Sequence, residues 1–327
     1  RMVPWLVVAL VLVCAPPAQS WAPLSSSCPN GTVPWPVADT GRFLCQDFDE
    51  AAHESVSWLE ANLPSFDAVQ QVTLFGEPGG VDGLDTGVAS LGANLSLQVR
   101  SAFQWATSVP KDIWQDNVLP YALVNEPRTN WRPLLLAALT PLVEKYGAET
   151  ADDVASIVNG YTNSSDSVWT VLTSAKITFK SSQTPLIFDP LSVVAFGYAS
   201  CTGVSALFAA ALRSLGVPAR VAGTPAWNGN VENGNHNWVE IWRGQDKGWS
   251  FIEALPAGGG ETLDNPCDKW FCSAAKLGPD SGTQVFAAHF DQEGGRGLPY
   301  PLAWDPENDQ VPGINRTAYY MEACGGC

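Results

Sequence analysis

Residues 198–227 read YASCTGVSALFAAALRSLGVPARVAGTPAW, and the place of Cys201 in that stretch decides the fold. Val204, Leu207, Phe208, Ala211, Leu212 and Leu215 recur at three- and four-residue steps, the spacing of a helix that buries one apolar face. Gly216, followed by Pro218, ends it. Cys201 therefore falls at the helix N-terminus, where free backbone N–H groups and the macrodipole favour a thiolate over a thiol. It lies off the apolar stripe, between the small residues Ser200 and Thr202, which leaves its side chain accessible. The alternative is a buried cysteine acting as a small hydrophobe.

Three segments of strand character follow: ARVAGTPAW at 219–227, NWVEIWR at 237–243 and GWSFIEAL at 248–255. The last two are joined by turn residues, so the expectation is a helix followed by an antiparallel sheet. His236 heads the second strand; His53 and His289 lack a comparable setting. Val239 and Ile241 alternate with Trp238 and Glu240, so His236, Trp238 and Glu240 share the face opposite the aliphatic pair. A hairpin turning around Gln245 and Asp246 sets His236 opposite Leu255 and diagonal to Glu253, within reach of a long side chain. An acid there would hold the imidazole in one tautomer and stabilise the imidazolium, completing a Cys–His–acid arrangement. Glu240 is the second candidate for that acid, and Trp238 is a candidate wall of a substrate channel.

The N-terminus and the cysteines speak for compartment. An apolar run, WLVVALVLV, precedes CAPPAQS, whose Ala18 and Ser20 suit signal-peptide cleavage ahead of Trp21. The run is too short to span a bilayer, as is PLLLAALTPLV at 133–143, so no stable membrane insertion is expected and the protein is expected to be secreted. Of eight cysteines, Cys14 leaves with this leader, and an odd number remains in an oxidising compartment. Six form sequence-local pairs: Cys28 with Cys45, Cys267 with Cys272, and Cys324 with Cys327. Local disulfides are the expectation among the pairings that six cysteines allow; the alternative is a four-cysteine zinc site from the last two pairs. Cys201 stands apart in either case. Sequons at Asn30, Asn94, Asn163 and Asn315 fit a glycoprotein, each marking exposed surface if used. The net charge of −16 repels nucleic-acid backbones and anionic lipid, which excludes both as partners, and no EF-hand, P-loop or dinucleotide motif is present.

Elsewhere, DFDEAAHESVSWLEANL at 47–63, VASLGANLSLQVRSAFQWA at 88–106 and DDVASIVNGYTNSSDSVWTVL at 152–172 read as helices, the last broken near its sequon. The turn with Asn125, Glu126 and Arg128 either borders the cleft or is ordinary surface. The tail after Lys276, rich in Gly and Pro, reads as added strands or loops tied down by the terminal cysteines. The expected organisation is a signal peptide at 1–20, a helical region at 21–110, a core at 111–275 and a Cys-tethered extension at 276–327.

The residues 199–227, with GNHNWVEIW at 234–242 and GWSFIEAL at 248–255, resemble the transglutaminase-like superfamily, within the wider papain-like class of thiol enzymes. Its secreted or periplasmic members are the most similar. They also carry a segment like LPYALVNEPRTNWRPL at 119–134 and an aromatic pair like that in KWF at 269–271, so the resemblance runs from about Leu119 to Phe271. It implies an α+β fold: a papain-like core with the nucleophile at the N-terminus of a buried helix packed on an antiparallel sheet, a helical N-terminal layer and a loop- or strand-rich extension. It also implies Cys201 as nucleophile, His236 as general base and Glu253 as acidic partner, a position where the superfamily commonly has Asp. No cofactor or metal is implied. The matching chemistry is acyl transfer on amide bonds of proteins or peptides through a thioester, with the Cys201 backbone N–H as an oxyanion donor. Water or an amine can resolve the thioester, so transglutaminase, deamidase and peptidase stay open. The rival from another class is a secreted binding or wall-associated module that keeps the fold without turnover.

Overall fold

A computed structural model describes residues 28–38, 40–76, 87–260, 262–292 and 298–326. The expected leader and Cys14 lie outside these residues. The fold is α+β with a papain-like core, as expected.

The helix Cys201–Ser214 is its centre, buried from Thr202 to Ser214 on every side, which exceeds the single stripe expected. Its composition explains this. Four alanines, Gly203 and small hydroxyl residues let neighbours approach from all directions, and the one charged residue, Arg213, is satisfied internally. Arg213 donates from Nε to the Ala219 carbonyl at 2.7 Å and from Nη1 to the Ala122 carbonyl at 2.8 Å. Gly216 takes φ +78° and closes the helix, and a side chain there would also strike Ala106. Helices Arg132–Lys145, Ala151–Asn159 and Pro190–Phe196 pack around it. The second of these starts with a capping box between Thr150 and Asp153.

The other side of the central helix rests on a five-stranded antiparallel sheet in the order Trp249–Ile252, His236–Trp242, Ala219–Thr224, Phe286–Ala288, Gly313–Asn315. Its last two strands come from the tail, which thus continues the core sheet. Val221, Val239, Ile241 and Ile252 join the cluster around the central helix. Ala222, Trp238 and Phe251 join a second cluster on the opposite face, with Phe271 and Tyr320 of the C-terminal helix Thr317–Gly325. That last helix has no clear apolar period and was not expected from the sequence.

At the N-terminus, strands Thr32–Val37 and Arg42–Asp47 form a hairpin closed by the Cys28–Cys45 disulfide. Helices Phe48–Ala61 and Val88–Ala102 follow where the sequence pattern put them, and the expected third helix stops at Asn159, before its sequon. The other cysteine pairings are corrected: Cys272 bonds Cys324 across 52 residues, and Cys267 is also in a disulfide. The C-terminal helix folds back under the 267–272 segment and brings Cys324 beneath it, a long-range approach that spacing does not reveal. With these sulfurs oxidised, the zinc alternative falls too. One sequon also departs from expectation. Asn94 lies half-buried within a helix, and the Ser96 hydroxyl is turned inward to the Gly92 carbonyl at 2.7 Å. No helix among the described residues is long and apolar enough to cross a membrane.

Candidate active site

The central helix and the sheet meet where Cys201 opens the one and His236 opens a strand of the other. Cys201 is partly exposed and is the free cysteine among the described residues. Its sulfur sits beside the His236 ring and the backbone N–H of Asn237, and both act to lower its proton affinity. Ser200 precedes it as N-cap without a side-chain cap bond, so no N-cap side chain occupies the first N–H groups of the helix.

His236 Nε2 lies 2.5 Å from Oε2 of Glu253, leaving Nδ1 for the sulfur. The register is the one the hairpin argument supposes: Val239 pairs with Ile252 and Trp242 with Trp249. Glu253 follows the last paired residue and reaches His236 on the diagonal, a span suited to a glutamate. The carboxylate is held from three directions. Oε2 also accepts the Trp270 indole N–H at 3.0 Å, and Oε1 accepts the Ala254 backbone N–H at 3.0 Å. The Glu253 carbonyl is fixed in turn by Asn159 Nδ2 at 2.9 Å and the Tyr161 hydroxyl at 3.2 Å.

Rings enclose the imidazole. Trp270 meets it edge-on with centroids 4.7 Å apart, Trp238 and Phe271 lie at 5.8 and 5.9 Å, and Trp227 stacks at 6.4 Å. Burial by itself lowers the affinity of His236 for a proton, but the Glu253 charge and the bonds to Cys201 and Glu253 outweigh it and raise its pKa to about 10. Burial also raises the Cys201 thiol; the hydrogen bond and charge of His236, with the Asn237 N–H, outweigh that and leave the thiol below its ordinary value. Both shifts favour the thiolate–imidazolium pair.

Two sequence-level candidates find other employment. Trp238 is 0% exposed, stacked on Phe271 at 4.6 Å, and donates its indole N–H to the Tyr320 hydroxyl at 2.6 Å. It is core, and not a channel wall, because the C-terminal helix covers the sheet face it occupies. Trp270, at 46% exposed, is the tryptophan that presents surface beside His236. Glu240 is fully buried between Arg220 at 2.7 Å and Arg316 at 2.8 Å, an ion network that holds the sheet to the tail. The turn at 125–128 is a structural knot: Glu126 accepts the N–H groups of Leu123 and Val124, both at 2.8 Å, and Arg128 pairs with Asp67 at 3.0 Å. No group of three or more potential metal ligands occurs among the described residues.

Sequence reasoning missed Asn237 and Tyr300. Asn237 Oδ1 accepts the Thr202 hydroxyl at 2.8 Å, its carbonyl accepts Ser205 Oγ at 3.1 Å, and its Nδ2 donates to the Tyr300 hydroxyl. A polar residue on the aliphatic face of the strand next to the histidine was the available signal.

A comparison with curated proteins finds no match. A family model described as Transglutaminase-like superfamily matches residues 151–254, a span that starts at the helix packed against Cys201–Ser214 and ends one residue past Glu253. Residues 151–254 of this chain are a transglutaminase-like superfamily domain.

Proposed function

We propose that this protein is a thiol enzyme acting on amide bonds of proteins or peptides, with Cys201 as nucleophile, His236 as general acid and base, and Glu253 as the carboxylate that orients and charges the imidazole. The observation that supports it most is the shared imidazole: one ring beside a free thiol on one side and bonded to a buried carboxylate at 2.5 Å on the other. An inert module has no need of that arrangement, and the reach of Glu253 to His236 is the feature that separates the two readings.

In this mechanism the Cys201 thiolate attacks the amide carbonyl carbon. The oxyanion gathers at the open N–H groups of the helix start, including that of Cys201 itself. His236 passes its proton to the departing amine or ammonia, the C–N bond breaks, and a thioester remains on the sulfur. The now neutral imidazole takes a proton from water or from an amine as it attacks the thioester, which returns the thiolate–imidazolium pair. The exposed face of Trp270 is the surface we assign to substrate next to His236. Cys272–Cys324 and Cys28–Cys45 suit an oxidising compartment, which supports the reading of residues 1–20 as a secretory leader. Residues 21–110 and 276–327 then serve as the layers that brace a core at 111–275.

The test incubates the protein with a glutamine-containing protein and a labelled primary amine. Amine incorporation identifies a transferase, conversion of glutamine to glutamate a deamidase, and a cut backbone a peptidase. A Cys201→Ala variant that retains the activity overturns the assignment.

A further inference from the structure

The superfamily match ends at Ala254, yet the polar contacts that set the Cys201 sulfur against the His236 strand continue beyond it. Asn237 ties the central helix, the His236 strand and the tail together. Its carbonyl and Oδ1 take hydroxyls from Ser205 and Thr202 on the central helix, its Nδ2 reaches Tyr300, and its backbone N–H lies on the side of the sulfur, whose proton affinity it lowers. Asn237, Thr202, Ser205 and Tyr300 are all buried. One bond to the helix through Oδ1 and one to the tail through Nδ2 hold the side chain, and the Ser205 bond to the carbonyl holds the backbone. The backbone N–H at the sulfur is fixed with it.

The sheet is shaped around this side chain. Gly223 pairs with Asn237 on the neighbouring strand, and a Cβ there would stand 2.3 Å from Asn237 Nδ2 and 2.4 Å from the His236 carbonyl oxygen. Both the asparagine side chain and the backbone of the His236 strand come too close to leave room for a side chain at this buried position.

We propose that Asn237 is the positioning residue for the Cys201 sulfur, bolting the nucleophile helix to the His236 strand, and that Tyr300, supplied from outside the matched domain, holds it in place. The inference rests on Cys201 being the nucleophile. The tail is then part of the site: residues 151–254 carry the three reacting groups, and Tyr300 fixes the hydrogen-bond donor that solvates the sulfur.

The test compares Tyr300→Phe with the unsubstituted protein, using alkylation of Cys201 by iodoacetamide as a function of pH, steady-state turnover and thermal unfolding. Removing one oxygen frees Asn237 Nδ2. The alkylation midpoint should rise by about half a pH unit or more, and kcat should fall about tenfold, the scale of one hydrogen bond, with KM within about twofold. Thr202→Val, nearly the same shape, frees Oδ1 from the other side and should shift the profile in the same direction; it decides the matter if Tyr300→Phe does not fold. A folded variant with lowered thermal stability but unchanged alkylation profile and turnover overturns the positioning role while leaving Cys201 as nucleophile. An unsubstituted protein whose Cys201 titrates like an ordinary thiol overturns the nucleophile and this inference together.

Discussion

His236 and Glu253 meet at 2.5 Å although neither stands opposite the other in the sheet. The paired register of Val239 with Ile252 continues to place Leu255 across from His236, so the acid closes a diagonal at the point where strand pairing stops. That position leaves the carboxylate open to a third donor, the indole of Trp270. It is also fully buried, which gives its charge leverage on the imidazole.

Glu253→Gln should therefore lower kcat by about 10³-fold or more, because the amide is uncharged and its preferred donor end can favour the wrong imidazole tautomer. The pH profile is the sharper readout. His236 has its pKa raised to about 10, so the imidazolium persists across neutral pH and is lost as pH rises through that value. Its contribution to stability has the same sign: fully present below the unfolded-state value, lost on approaching about 10. The variant should lose activity at a lower pH on the alkaline side. An unchanged alkaline limb would remove Glu253 from the mechanism.

Trp270→Phe keeps a ring beside His236 and deletes the N–H bonded to Glu253 at 3.0 Å. A hydrogen bond to a charged acceptor contributes about 1.5–3 kcal/mol, so kcat should fall about tenfold or more, with little change in KM. Trp270→Ala should add an increase in KM if the exposed indole face contacts substrate. Equal KM values for the two variants would confine Trp270 to positioning.

Much of this was legible in the sequence, and the reasons are local. The start of the helix at Cys201 follows from one apolar period ended by Gly216. The Glu253–His236 diagonal follows from two-residue alternation and a short hairpin. Alternation also put Trp238, Glu240 and His236 on one face, correctly, but it cannot say what covers that face. The covering helix starts at Thr317, has no periodic signature, and turns Trp238 and Glu240 into core. The Cys272–Cys324 disulfide is hidden for the same reason. Tyr300 is the extreme case: 63 residues separate it from Asn237, and no spacing rule connects them.

Glu240→Gln tests the network that the sequence offered as an alternative triad acid. Burial raises the Glu240 carboxyl, and the charges of Arg220 and Arg316 more than offset that, leaving it below the ordinary carboxylate range. The stabilisation is thus present above the unfolded-state pKa and is lost as pH falls through the lower folded value. Removing the charge strands two arginines and should cost about 3–5 kcal/mol in chemical denaturation at neutral pH, with a smaller loss at acid pH. Alkylation of Cys201 in the folded variant should keep its pH midpoint. A large shift in that midpoint would place Glu240 in the proton chemistry.

Gly223→Ala asks the same question of the asparagine without removing any polar group. The added methyl lies 2.3 Å from Asn237 Nδ2 and 2.4 Å from the His236 carbonyl oxygen, and the second of these is backbone that cannot swing aside. The two strands must separate locally by several tenths of an ångström, and the separation falls between the strand that bears His236 and its neighbour. Overpacking of this kind costs about 1–3 kcal/mol, which a domain of this size should survive. Turnover should fall by more than tenfold, because the N–H at the sulfur and the imidazole move together. Circular dichroism and thermal unfolding would establish that the fold persists, and the alkylation profile would report the sulfur. A stable variant with full activity would mean that the close approach at Gly223 has no bearing on the site.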